Sequence, residues 1–286
     1  MESTPHVVIL GSTGTIGAAL ASHLQVRGVR FQAVGREQCD LEDPLATLRL
    51  FQGLPAGSAV VFTAVINRWK EDSFPALQRN LTMAENIALA AAERACAMVF
   101  LSSVDVYGRH PPTPIREDTP VLPESYYAIA KHASELLLAR ALPAHCPLTI
   151  LRLPGVYGKD GRERSVLGSF LKKVMFGEPI TIFGDGSILR DFVFVDDVCA
   201  LVHEMVRTPR PGIHNVATGT SLPIQEVVST LGRVLAREPI VQFAPANDSS
   251  AGNLVFDTAG LRVACPSWAA TPLAVGSALL ADRIRR

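Results

Sequence analysis

The sequence lacks an excess of charge of either sign, and it lacks any long apolar run. Its 286 residues carry 27 Lys and Arg against 27 Asp and Glu. A nucleic-acid-binding protein needs a concentrated basic surface, so this balance argues against that class. No run approaches the roughly 20 apolar residues that cross a bilayer, and no basic segment precedes an apolar stretch at the N-terminus. We therefore expect a cytoplasmic protein that binds neither nucleic acid nor membrane.

Cysteine and histidine are sparse and show no metal-binding spacing. The five cysteines, at positions 39, 96, 146, 199 and 265, include no Cys-x-x-Cys pair. Their odd number and wide scatter are typical of buried thiols in a reducing compartment. His203-Glu204 begins a His-Glu-x-x-His pattern, but Arg207 stands where the second histidine would be. We expect neither a structural nor a catalytic metal.

The chain does have a high apolar content, arranged in alternating segments. Hydrophobic residues make up 48% of the chain and charged residues 19%, a balance that excludes disorder as the dominant state. Strand-length apolar runs at Val7–Leu10, Phe31–Val34, Ala59–Val65, Met98–Leu101 and Leu148–Leu153 alternate with helix-period segments such as Phe74–Arg94 and Tyr126–Ala141. This alternation predicts an α/β fold with a doubly wound parallel sheet and helices on both faces.

The texture of the sequence changes beyond Pro154, where strands become shorter and glycine and proline more frequent. We place a domain boundary there, with residues 1–153 as the first domain and residues 154–286 as a smaller C-terminal α/β lobe. Phe192–Val195 has the pattern of a strand, followed by a helix capped at Asp196-Asp197. Residues 190–217 are therefore expected to return to the first domain.

A glycine-rich turn follows the first predicted strand. Its residues are Gly11, Ser12, Thr13, Gly14, Thr15, Ile16 and Gly17. Small residues there permit a tight turn and a close approach of the backbone to a pyrophosphate, and the helix that follows offers free N–H groups. Turns without a ligand show the same spacing, but the position after the first strand favours dinucleotide binding.

Arg36 follows the second predicted strand, at the tip where a carboxylate in its place would accept hydrogen bonds from the free ribose 2′-hydroxyl of NAD. A guanidinium is instead suited to the 2′-phosphate of NADP. The alternatives are a solvated surface arginine, and a role for the neighbouring Glu37 in binding NAD. We predict NADP(H) in preference to NAD(H), with Asp40 and Leu41 at the adenine.

A tyrosine and a lysine lie four residues apart and share one face of a predicted helix. An ammonium at Lys131 favours the phenolate of Tyr127 and lowers the pKa of that phenol from about 10, which makes it a usable proton donor to a carbonyl oxygen. The spacing also arises by chance, and Tyr126 has only Ala130 at the same separation. Ser103, at the carboxyl end of the fourth predicted strand, supplies a polar group to hold the carbonyl.

These motifs occur in an order that resembles the extended short-chain dehydrogenase/reductase superfamily, the NAD-dependent epimerase/dehydratase group, over nearly the whole chain. The matching segments are the glycine-rich turn, Asp40-Leu41, Asn80–Asn86, Ser102–Gly108, Tyr127-x-x-x-Lys131, Leu151-Arg152 with Val156–Gly158, Gly184–Gly186 and Arg190–Asp197. The resemblance implies a Rossmann cofactor domain and a substrate-binding lobe. It also implies that Ser103, Tyr127 and Lys131 form a catalytic triad.

The resemblance implies further contacts. Lys131 would also hold the nicotinamide ribose, and the cofactor would be lined by Thr63, Ala64, Val65, Asn80, Leu101 and Leu153. Arg190 would contact the diphosphate of a nucleotide-linked sugar. Asp105 would either bind a sugar hydroxyl or remain a solvated loop carboxylate. A homodimer would form through two helices of the cofactor domain, although burial within one chain explains the same apolar residues.

Relatives of this kind differ in chemistry and include 4-epimerases, 4,6-dehydratases, decarboxylases and ketoreductases. Dehydratases of the family carry adjacent Asp and Glu after the catalytic hydroxyl, whereas this chain has Val104 and Asp105. Epimerases keep NAD bound through each cycle, whereas a reductase must exchange spent cofactor with the cellular NADPH pool. Arg36 fits the need of a reductase better, because it can pair with the 2′-phosphate of NADPH. We predict an NADPH-dependent ketoreductase for a nucleotide-activated keto sugar of the dTDP-4-keto-6-deoxyhexose type. The alternatives are an NAD-retaining nucleotide-sugar 4-epimerase and a non-catalytic cofactor-binding module.

Two segments depart from the family pattern. Gly155 stands where an Asn usually precedes Val-Tyr-Gly, and residues 244–248 lack the Arg that often opens a late Arg-Pro-Gly-Asp element. Arg190 would then bind the phosphates alone or together with Lys159, Arg162 or Arg164. If none of these cations does so, the substrate is not a nucleotide sugar.

Overall fold

Strands and helices alternate along the chain in the computed structural model, which describes residues 5–94, 97–158, 165–246 and 252–285. The helices are α1 (Thr15–Val26), α2 (Pro44–Gln52), α3 (Phe74–Arg94), α4 (Tyr126–Ala141), α5 (Val166–Phe176), α6 (Val195–Arg207), α7 (Ile224–Leu235), α8 (Ala259–Ala264) and α9 (Leu273–Arg285). The strands are β1 (Val7–Leu10), β2 (Phe31–Val34), β3 (Ala59–Phe62), β4 (Ala97–Ser103), β5 (Leu148–Leu153), β6 (Gly155–Tyr157), β7 (Ile180–Phe183), β8 (Leu189–Arg190), β9 (Phe192–Phe194), β10 (Gly212–Asn215), β11 (Leu222–Pro223) and β12 (Val241–Ala244).

A six-stranded sheet with the order β10-β5-β4-β3-β1-β2 forms the centre of the fold. β1 pairs in parallel with both β2 and β3, and β3 pairs in parallel with β4. All four residues of β1 and of β3 are buried, as expected when helices cover both faces of a sheet. The predicted α/β fold with a parallel sheet is therefore confirmed. The chain leaves β1 toward β2 and later returns to β3 on the other side, so a ligand-binding crevice is expected at the carboxyl end of β1.

Some predicted boundaries were wrong by a few residues. β3 ends at Phe62 and not at Val65, because its partner β1 also ends there, with Leu10 paired to Phe62. Helix α6 already begins at Val195, which the hydrophobic pattern had assigned to a strand. Asp197 does not cap this helix as predicted, because its carboxylate accepts hydrogen bonds from the backbone N and the Oγ1 of Thr271.

The chain divides into two compact units. The first unit comprises residues 1–106, 121–152 and 199–214, and the second comprises residues 107–120, 153–198 and 215–286. The buried core of the first unit joins the sheet to its helices, with Leu10, Phe62, Ile87, Phe100 and Leu138 among its members. No helix in the described ranges is both long enough and apolar enough to cross a membrane.

The second unit has its own core and small sheets of two strands each. β6 pairs with β9 and β7 pairs with β12, both in parallel, and β8 pairs with β11 in antiparallel orientation. Its core residues include Tyr157, Leu171, Phe194, Leu231 and Leu280, which come from β6, α5, β9, α7 and α9. This core makes the second unit an α/β body of its own.

Helices α3 and α4 of the first unit carry exposed apolar side chains. Leu89 on α3 and Ile129, Leu136 and Leu137 on α4 are all exposed. These are the helices through which the family resemblance implies a homodimer. Since one chain alone is described, the homodimer stays a prediction.

Candidate functional site

The glycine-rich turn joins β1 to α1 with very little space between them. Gly11 has φ +91°, the left-handed region that favours glycine, and a Cβ there would lie 2.6 Å from the backbone of Ala64. A Cβ on the buried Gly17 would overlap the carbonyl oxygen of Gly11 and lie 2.9 Å from its carbon. The turn therefore requires glycine at both positions, because backbone atoms fill the space that side chains would need.

The N-terminus of α1 is open to an anion. Its N-cap residue, Gly14, makes no side-chain capping hydrogen bond, and the first turn contains no acidic residue. The first N–H groups of a helix have no partner within the helix, and the helix dipole favours negative charge there. Ser12 and Ile16 are partly buried, and Thr13 and Thr15 are exposed. These residues fit the pyrophosphate of a dinucleotide, because the turn offers donors, positive potential and a close backbone approach.

Charged side chains converge just after β2. Arg36 is 64% exposed, and its Nη2 donates to Asp40 Oδ2 at 3.1 Å and to Glu42 Oε1 at 3.2 Å. Arg79 of α3 also binds Glu42, with Nε donating to both carboxylate oxygens. The backbone N–H of Glu42 donates to Asp40 and holds the pKa of that carboxyl below its usual value. Arg36 is thus accessible but is already held by two carboxylates.

The segment after β3 is fixed to the glycine-rich turn and to α3. Thr63 Oγ1 donates to Leu10 O at 2.8 Å and to Gly11 O at 3.1 Å. The side-chain amide of Asn80 accepts from Ile66 N and donates to Ile66 O, at 2.8 and 3.1 Å. Since Asn80 is buried and both ends of its amide are engaged, it holds this segment in place.

Other predicted cofactor residues lie along the same loops. Ala64 and Val65 are partly buried, and Leu41 and Leu101 are fully buried. The carbonyl of Leu41 accepts a hydrogen bond from Asn86 of α3 at 2.9 Å. The matched segment Asn80–Asn86 therefore anchors the backbone after both β2 and β3, which explains why amides occur at its two ends.

Helix α4 begins at a defined point that places Tyr127 in its first turn. Ser125 is the N-cap, and its side chain accepts from Ala128 N at 3.1 Å. Asp72 Oδ1 accepts from Tyr127 N at 2.9 Å. The ring of Tyr127 is partly buried, and the side chain of Ser103, the last residue of β4, lies close enough to lower the pKa of the Tyr127 hydroxyl. The structure thus brings together the phenol and the hydroxyl predicted from the sequence.

The expected lowering of the Tyr127 pKa was wrong. The pKa of Tyr127 is raised, first by desolvation and then by the charge of Asp105, while the Ser103 hydrogen bond and Arg68 act in the opposite direction. The Lys131 Nζ lies 5.9 Å from the centre of the Tyr127 ring. The argument from spacing considered only the charge of Lys131, whereas desolvation by the surrounding protein opposes charge on the phenol.

Lys131 is buried next to the ring of Tyr127. Its Nζ donates to Leu101 O at 2.6 Å and lies 4.8 Å from the centre of the Phe100 ring. Burial lowers the pKa of Lys131 to about 7, and the charge of Glu135 acts against this shift. Near neutral pH, Lys131 can therefore exist with or without its proton.

Arg68 is a site residue that the sequence reasoning missed. Its Nη1 lies 2.8 Å from Asp105 Oδ2, and its guanidinium lies 5.0 Å from the centre of the Trp69 ring. Both charges act on the Tyr127 hydroxyl. Asp105 is therefore paired with Arg68 and is not the solvated loop carboxylate considered above. A signal existed, since Arg68-Trp69 follows β3 at the carboxyl edge of the sheet.

The remaining predicted residues belong to the second unit. Leu153 ends β5 and is buried. Arg190 Nη1 donates to the carbonyl oxygens of Leu189 and Gly252, at 2.8 and 2.7 Å. A Cβ on Gly155 would lie 2.8 Å from the Phe192 ring, which explains the departure from Asn there. Lys159, Arg162, Arg164, Asn247 and Asp248 lie outside the described residues.

Comparisons with known proteins agree with this fold. A sequence model of the NAD dependent epimerase/dehydratase family matches residues 7–217. The UDP-glucose 4-epimerase of Azospirillum brasilense is 26% identical over 300 residues, which covers 91% of this chain and 86% of that protein. The dTDP-4-dehydro-6-deoxyglucose reductase of Escherichia coli is 26% identical over 176 residues, covering 58% and 54%.

A solved structure matches over nearly the whole chain. The crystal structure of Thermus thermophilus UDP-glucose 4-epimerase in complex with NAD has a TM-score of 0.83 and 25% identity, and the match covers 98% of this chain and 99% of that chain. By sequence, the chain spans about half the length of several curated relatives that it matches.

Proposed function

Since the chain belongs to the NAD dependent epimerase/dehydratase family, we propose that it is an NADPH-dependent ketoreductase acting on a nucleotide-activated keto sugar of the dTDP-4-keto-6-deoxyhexose type. The observation that carries this proposal is the placement of Tyr127 beside Ser103 at the carboxyl end of β4, where the Ser103 side chain acts on the Tyr127 hydroxyl, with Lys131 buried next to the Tyr127 ring. Relatives of the chain include nucleotide-sugar epimerases, dehydratases and reductases. The second unit is the proposed binding site of the sugar nucleotide.

The protonated form of Tyr127 is suited to the proton donation that reduction of a ketone needs. Because its pKa is raised, the hydroxyl keeps its proton at neutral pH. Reduction of a ketone needs a proton donor at the carbonyl oxygen, whereas the oxidation that begins an epimerisation needs a proton acceptor. Tyr127 in the form that this environment favours is therefore a donor.

Val104 argues against a dehydratase. Its side chain is aliphatic and 3% exposed, in the turn that directly follows Ser103. An aliphatic group can neither give nor take a proton, so the acid of an Asp-Glu pair has no counterpart at this position. Asp105 remains as a single carboxylate, and it is paired with Arg68.

The chain's own groups account for the rest of the chemistry. The glycine-rich turn and the start of α1 would hold the pyrophosphate, and Arg36 the 2′-phosphate. When bound, NADP(H) supplies the hydride for the keto carbon. Ser103 donates a hydrogen bond that orients and polarises the carbonyl, and Tyr127 gives its proton to the oxygen as negative charge develops there. Protonated Lys131 stabilises the phenolate that remains.

A substrate assay tests the proposal directly. Purified protein with NADPH and nucleotide-linked 4-keto sugars should consume NADPH, seen as a loss of absorbance at the nicotinamide band, and should form the matching alcohol. The 4-epimerase is the second candidate, because Arg36 is already paired with two carboxylates and the Azospirillum brasilense relative is an epimerase. Tightly bound NAD in the purified protein, together with interconversion of nucleotide hexoses, would replace the reductase by the epimerase.

Arg36→Ala should weaken NADPH specifically. The guanidinium would form charge-assisted hydrogen bonds to the 2′-phosphate, and their loss should raise the KM for NADPH about tenfold and leave the KM for NADH unchanged. The exposed pairs of Arg36 with Asp40 and Glu42 contribute little to stability, so the variant should fold normally.

Arg30→Ala is the matched control, because Arg30 is an exposed arginine that precedes β2 at its opposite end. Arg30→Ala should leave the KM for NADPH and the KM for NADH unchanged. Equal effects of Arg36→Ala on NADPH and NADH would make Arg36 an ordinary surface residue.

A further inference from the structure

A second group of polar side chains is buried in the first unit, next to the triad. Glu135 on α4, Arg152 on β5 and Ser102 on β4 are each 3% exposed. Arg152 donates to both oxygens of Glu135, from Nε at 3.0 Å and from Nη2 at 2.7 Å. Ser102 Oγ donates to Glu135 Oε1 at 2.5 Å, and His132 Nδ1 lies 3.3 Å from Oε2. One carboxylate thus joins a helix to two strands.

The same elements carry the triad: Ser103 lies on β4, and Tyr127 and Lys131 lie on α4. Ser102 directly precedes Ser103 on β4. Glu135 lies one helical turn beyond Lys131, which itself lies one turn beyond Tyr127. Since β4 and β5 are neighbours in the sheet, a displacement of α4 along the sheet would have to break contacts of Glu135 with both strands. The carboxylate therefore fixes the register between Tyr127 and Ser103.

Stability alone is a weak reason for this ion pair. Burying two charges costs much of what their attraction returns, and well-packed apolar replacements are often equally stable. The pair has good geometry, with two parallel hydrogen bonds from one guanidinium. A function in holding the triad explains why charged groups occupy this place in the core.

Besides fixing α4, Glu135 acts through its charge on the pKa of Lys131. The ammonium of Lys131 lies over the Tyr127 ring of α4 and the Phe100 ring of β4 and donates to the Leu101 carbonyl, and Glu135 lies one turn further along α4. Arg152 of β5 binds the carboxylate of Glu135. Among these groups Glu135 carries the negative charge, and it opposes the burial that lowers the pKa of Lys131.

We propose that Glu135 is a positioning residue for Ser103, Tyr127 and Lys131: held by Arg152 and Ser102, it fixes α4 against β4 and places a negative charge one helical turn from Lys131. This proposal rests on the proposed function for its kinetic readout. Its electrostatic part has a readout of its own, because the charge state of Lys131 can be measured without substrate or cofactor.

The first experiment is an NMR titration of the full chain labelled with 13Cε-lysine. The sequence has five lysines, at positions 70, 131, 159, 172 and 173, and Lys131→Met assigns the resonance. Glu135→Gln should move the titration midpoint of Lys131 to lower pH by about one unit or more, because an attractive charge is lost. Ser134→Ala, a buried change on the same helix, should leave the midpoint in place. A midpoint that stays put in Glu135→Gln overturns the electrostatic part.

Kinetics test the positioning part. Glu135→Gln should lower kcat on the order of 100-fold with little change in the KM for NADPH. The loss should grow as pH rises, because Lys131 gives up its proton earlier. If this variant does not fold, Glu135→Gln/Arg152→Met removes both charges and should show the same loss of kcat at an unchanged melting temperature. Full turnover in either folded variant overturns the proposal, whereas an inactive wild-type chain overturns only the proposed function.

Discussion

Tyr127→Phe should lower kcat for keto-sugar reduction by about 100- to 10,000-fold, the usual contribution of a positioned proton donor. The substitution removes one oxygen and keeps the ring, and the backbone of residue 127 stays bound to Asp72. Binding of NADPH should therefore be nearly intact. Steady-state kinetics and a fluorescence titration with NADPH measure the two effects separately.

Tyr126→Phe is the natural control. Tyr126 is the adjacent residue on α4, its side chain is exposed, and its ring packs edge-on against Phe74. It lacks the contact with Ser103 that defines Tyr127, so its hydroxyl should be dispensable. Comparable losses in the two variants, or normal turnover in Tyr127→Phe, would remove the phenol from its assigned role in proton transfer.

Gly17→Ala should damage both folding and cofactor binding. The added methyl group would overlap the carbonyl of Gly11, and backbone atoms cannot move aside as a flexible side chain can. Overpacking of this kind costs about 1–3 kcal/mol of the free energy of unfolding, and occasionally more. A movement of the backbone that relieves this overlap would shift the turn that is expected to hold the pyrophosphate. Thermal unfolding and NADPH titration should both show the change.

Gly53→Ala serves as the comparison for this steric argument. Gly53 follows α2 with φ −78°, and a Cβ there would lie 3.5 Å from its nearest neighbour, an ordinary contact. Alanine at such a position is neutral or stabilises by about 0.4–1 kcal/mol, because it restricts the unfolded chain. If Gly17→Ala unfolds at the same temperature as Gly53→Ala and binds NADPH equally well, the close packing described for the glycine-rich turn is wrong.

The sequence predicted helices, strands and turns correctly where neighbouring residues determine them. The ends of α3 and α4 agree with the hydrophobic period and, for α4, with the capping side chain of Ser125. The four apolar residues of β1 and the glycines that follow it identified the parallel sheet and its turn. The start of α6 was missed because Asp197 resembles a cap in sequence, while its true partner, Thr271, lies 74 residues away.

Ser103, Tyr127 and Lys131 were predictable from the sequence as members of the candidate site, whereas Arg68 and the electrostatics of the site were not. Spacing placed Tyr127 and Lys131 on one face of α4, and strand order placed Ser103 at the same edge of the sheet. The direction of the Tyr127 pKa shift depends on how much protein surrounds the hydroxyl and on Arg68 and Asp105. Arg68 lies 37 residues before Asp105 in the chain, so no local pattern links the two. Such pairings appear only once the fold is known.

The loop between β3 and α3 makes two separate contacts with the candidate site within a few residues. Arg68 reaches Asp105, and Asp72 accepts the hydrogen bond that fixes the backbone of Tyr127. Exchanging this loop would therefore also disturb Tyr127, the proposed proton donor, so a library that randomises residues 69–71 and keeps Arg68 and Asp72 should retain far more working clones than one that randomises residues 68–72.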